Sequence, residues 1–75
     1  MRTFTDQQRY VVVLGDAADE VSEAPTVTVL DRLDRVVLLE ASYRTAVELR
    51  HRDGVIIHIY ERERDARRAF GLFVH

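Results

Sequence analysis

Three histidines, His51, His58 and His75, are the residues of this 75-residue chain best suited to proton transfer or metal binding. His58 is the most interesting. It stands in GVIIHIYE, residues 54–61, between Ile56 and Tyr60 on one set of alternate positions. A general base there needs an acid or nucleophile within hydrogen-bond reach on the same face. Glu40 could supply the acid if its strand lies beside that of His58. A satisfied surface or interface histidine is the competing reading. His51 lies in RHRD at the end of a helical pattern, where a charge suits the helix dipole. His75 is the last residue. The three lack metal-ligand spacing. Cys, Lys, Asn and Trp are absent, which removes thiolate, Schiff-base and many amide-assisted arrangements. No catalytic residue, metal ligand or cofactor is therefore assigned.

The elements that would position His58 follow from periodicity. The stretch to about Gln8 is polar and reads as a frayed start. RYVVVL, residues 9–14, is strand-like because consecutive valines are stiff at χ1. Gly15-Asp16 breaks it, and AADEVSEA carries a narrow helical stripe at Ala17, Val21 and Ala24, with Asp16 as N-cap. Pro25 ends that helix. TVTVLD (26–31) and VVLLE (36–40) form a hairpin around RLDR, a turn without the usual glycine. Ser42 is the N-cap of a second helix carrying Tyr43, Ala46, Val47 and Arg50 on one stripe, with Leu49 nearby. Asp53-Gly54 ends it. Residues 62–75 form a C-terminal helix or tail: ERERDARR favours helix with a solvated face, then Gly71 precedes a short apolar end. The order β-α-β-β-α-β within one 75-residue domain is that of a ferredoxin-like α+β sandwich, a four-stranded antiparallel sheet with two helices on one face.

That fold makes the second sheet face the key question. Val55, Ile57, Ile59, Val37, Leu39, Val27 and Val29 should face the two helices. Val36, Leu38, Ile56, His58 and Tyr60, with Leu30 and Glu40, then face the other way. Strand one is apolar on both sets of positions and has no readable orientation. An apolar sheet face of this kind marks an interface. Its cover is the C-terminal segment folding back, a second copy, a heterologous protein or a small ligand.

Charge narrows the partners. The net charge is −2, with 11 Arg against 13 acids, and the arginines alternate with acids instead of forming the basic patch of a nucleic-acid binder. No apolar run reaches the ~20 residues that span a bilayer, and MRTFTDQQR is not a signal peptide. The expectation is a cytoplasmic protein with neither nucleic-acid nor membrane partners.

Residues 26–61, TVTVLDRLDRVVLLEASYRTAVELRHRDGVIIHIYE, resemble the prodomains of subtilisin-like serine proteases and their stand-alone inhibitor relatives. The likeness lies in strand, turn, strand, a helix ending in Leu and a polar run, Asp53, Val55 and a strand ending in Glu61. RYVVVL looks like the first strand of such prodomains. The resemblance implies a non-enzymatic inhibitor or chaperone that docks its open sheet face on a protease. Val36, Leu38, Ile56, His58 and Tyr60 would be in that face. Its tail, Leu72, Phe73, Val74 and His75, would lie extended in the substrate cleft by strand addition. Packing of Phe70, Leu72 and Phe73 on the domain's own core is the alternative for the tail. Two further readings remain open: a ferredoxin-like homodimer binding a metabolite or doing acid/base chemistry at His58, and an accessory subunit of an enzyme complex.

Overall fold

The computed structural model describes residues 7–74. The expectations about the frayed start and His75 concern residues that fall wholly or largely outside this range. The elements are β1 (Gln8–Leu14), α1 (Ala18–Ser22), β2 (Val27–Leu33), β3 (Val36–Ser42), α2 (Tyr43–Arg50), β4 (Ile56–Tyr60) and α3 (Glu63–Phe73). The strands form one antiparallel sheet in the order β2-β3-β1-β4. Each βαβ half contributes one inner and one edge strand, which interlocks the halves in a ferredoxin-like α+β sandwich.

Alternation along the strands builds two separate cores. Val11, Val13, Val37, Leu39 and Ala41 meet Ala18 and Val21 of α1 and Ala46 and Leu49 of α2, with Val27, Val55, Ile57 and Ile59 packed around them. That is the expected helix-facing set, except that Val29 at the β2 edge stays substantially exposed. The opposite positions of β1 are now oriented: Tyr10, Val12 and Leu14 face the other side, with Val36, Leu38, Leu30 and Tyr60.

This second face is not open. α3 lies on it and seats Ala66 and Phe70 against Val12, Val36 and Leu38. Two helices do share one face, as expected, but a third covers the other. Ala66, Ala69, Phe70, Phe73 and Val74 recur at helical spacing, which gives α3 its apolar stripe. Arg64, Asp65, Arg67 and Arg68 point to solvent. The Arg67 guanidinium donates to Glu63 at 2.7 Å, one turn back.

Local details correct several expected boundaries. Asp16 does not cap α1; the N-cap is Ala17, with no side-chain bond. Asp16 instead accepts from Arg35 at 2.8 Å, and Asp19 pairs with Arg32. Both exposed pairs link the α1 region to the β2–β3 hairpin. In the glycine-free turn between those strands, Asp34 adopts φ 55, a left-handed conformation that Asp tolerates better than most residues. The hairpin strands run further than expected, to Leu33 and Ser42. Ser42 does cap α2: its Oγ accepts from the Thr45 N–H at 3.2 Å. Tyr43 is about half exposed, and α2 buries Ala46 and Leu49 instead.

Candidate interaction surface

Strand register places the candidate residues in three cross-strand rows beneath and beside α3. The rows are Val36–Leu14–Ile56, Leu38–Val12–His58 and Glu40–Tyr10–Tyr60, each running from β3 through β1 to β4. Position within a row decides availability. Val36 and Leu38, on the inner strand β3, are buried. They are core under α3 and cannot serve as the docking residues that an open face would offer. Ile56, His58 and Tyr60 are at the free edge. Ile56 is 60% exposed, and the other two are half-buried.

His58 does not meet Glu40. The two stand in different rows with β1 between their strands, and the spacing of ~4.8 Å per strand keeps them well beyond hydrogen-bond reach. The ring partner of His58 is instead Phe73, stacked at 5.0 Å between centroids with 23° between planes. Among the described residues, no group of three His, Cys, Asp or Glu could hold a metal ion. No polar or charged side chain among them is buried.

The tail residues divide in the same way. Phe70 is buried, so the packed-back alternative describes it well. Phe73 is 38% exposed where it lies on His58, and Leu72 is 71% exposed. At 100° per residue, Leu72 lies about 160° around the helix from the buried Phe70, on the solvent side of α3. Val74 is half-buried against the α3-side core. His75 lies outside the described residues. The tail through Phe73 is helical, not extended.

The two sheet edges differ in chemistry. β2 is interrupted by a register shift between Val29 and Asp31 and carries Asp31 and Arg32. Bulges and charges of this kind blunt an edge against further pairing. β4 pairs with β1 in unbroken register and reads IIHIY, with no acid, arginine or proline. Among the described residues, its outer backbone groups have no strand beside them. The signal for this edge was present in GVIIHIYE, but the strand order that makes it an edge was not. No helix among the described residues is long and apolar enough to cross a membrane. No family model, curated protein or solved structure matches the chain.

Proposed function

We propose that the chain is a non-enzymatic protein-binding module that engages its partner through the β4 edge and the adjoining C-terminal end of α3. The observation that carries this reading is the unprotected edge. A five-residue strand without acid or arginine pairs in unbroken register with β1, has no further strand beside it among the described residues, carries the exposed Ile56 and lies against Phe73. Strand addition would supply backbone hydrogen bonds for affinity, and the alternate side chains would supply specificity.

The arrangement does not favour the prodomain manner of docking. Placing the tail in a protease cleft would require Glu63–Phe73 to leave the sheet and extend, uncovering Val12 and Leu38. The edge needs no such rearrangement.

A photo-crosslinking residue at Ile56, or separately at Leu72, tests the reading in the cell. Protein adducts are expected at both positions, and none at exposed Glu48 on α2. Equal labelling at all three positions, or none at Ile56 and Leu72, would overturn it.

A further inference from the structure

The third cross-strand row carries chemistry that the fold does not consume. We propose that Glu40, Tyr10 and Tyr60 form a binding site for an organic cation of the guanidinium or alkylammonium class. This goes beyond the edge reading and does not depend on it.

Glu40 stands apart from the other acids. Every other Asp or Glu among the described residues is exposed, whereas Glu40 is half-buried on the inner strand β3. It is the one charged residue in VVLLEAS. Withdrawing a carboxylate from water is costly unless a cation or hydrogen-bond donors replace the water. The chain does not supply them. Directly opposite Glu40 stand Thr28 on β2 and Tyr10 on β1. Arg32, Arg35 and Arg67 are paired with Asp19, Asp16 and Glu63. Among the described residues, no cation pairs with Glu40.

Tyr10 and Tyr60 complete the row. Both are half-buried and pack on the α3-side core. Among the described residues, neither hydroxyl has a hydrogen-bond partner. Directly opposite side chains on neighbouring strands are about 4.5–5.5 Å apart at Cβ. The carboxylate and the adjoining rings therefore fall within reach of one small cation. Ring faces attract cations, and a carboxylate adds a charge-assisted hydrogen bond.

The opposite sheet face shows the same recognition completed within the chain. There the Arg9 guanidinium lies 5.2 Å from the centre of the Tyr43 ring. On the α3 side, two tyrosines and an acid stand without such a cation. Charge complementarity thus selects a cation over an anion or a neutral ligand.

The probe is ethylguanidinium, with neutral ethylurea of similar shape as the control. Each is added at millimolar concentration and constant ionic strength to the whole isotope-labelled chain and followed by NMR. Ethylguanidinium should shift the Glu40, Tyr10 and Tyr60 signals saturably and leave Tyr43, already engaged by Arg9, unchanged. Glu40→Gln should weaken binding by on the order of tenfold or more. It should not lower the urea midpoint, because no ion pair within the chain is lost. Absence of a saturable shift, an equal response to ethylurea, or undiminished binding by Glu40→Gln overturns the proposal. A markedly lowered midpoint in Glu40→Gln also counts against it, by giving Glu40 a role in the fold. The cation can belong to a free small molecule or to an Arg or Lys side chain of a protein at the β4 edge. Combining Glu40→Gln with the photo-crosslinker at Ile56 separates these sources. Lost adducts assign the cation to the protein, and unchanged adducts assign it to a free molecule. If ethylguanidinium binds but the unaltered chain gives no adduct at Ile56, the edge reading fails and the cation site stands.

Discussion

At the residue scale, backbone conformation separates glycines that must stay from one that need not. Gly15 has φ +117, and a Cβ there would lie 2.6 Å from the Gly54 carbonyl oxygen. The two loops also share a hydrogen bond, with the Ala17 N–H donating to that oxygen at 3.2 Å. Gly15→Ala should therefore destabilise the chain by more than about 1 kcal/mol, since both the left-handed φ and the close approach oppose a side chain. Gly71 is the opposite case. It lies within α3, and an added Cβ would meet nothing within 4 Å. Gly71→Ala should stabilise by about 0.5–1 kcal/mol through helix propensity. Ser42→Ala should cost about 1 kcal/mol by removing the α2 cap. Urea denaturation measures all three as shifts in midpoint at constant slope. The same positions show what local sequence can convey. Ser42 was legible because capping is a one-turn interaction. The true partner of Asp16 was not, because Arg35 approaches it through the tertiary fold.

At the element scale, legibility followed period. The side-chain faces of β3 and β4 could be read because Glu40 in one strand, and His58 with Tyr60 in the other, mark one set of alternate positions as the less apolar. β1 could not be oriented, since Val11, Val12 and Val13 satisfy both faces; only the presence of core on both sides resolves them. The helix on the second face was harder still. Ala66, Ala69, Phe70, Phe73 and Val74 do form a stripe, but two of its members are alanines and Gly71 interrupts its end. The physical anchor is Phe70, buried among Val12, Val36 and Leu38. Phe70→Ala should cost about 3–5 kcal/mol. If α3 were only loosely laid on the sheet, the loss would be a few tenths of that and the rest of the chain would unfold at an unchanged urea midpoint.

At the scale of the whole molecule, the sheet is a middle layer with core on both sides, which makes α3 a structural element and not an appendage. A chain of this length has a stability of about 4–11 kcal/mol at typical values per residue, so the Phe70 contact alone can account for a large share. Truncation after Glu61 would uncover Val12, Val36 and Leu38 together. The shortened chain should lose cooperative unfolding and bind a hydrophobic dye. A sharp, dye-free transition in residues 1–61 would show that the α1–α2 core suffices and that α3 is dispensable.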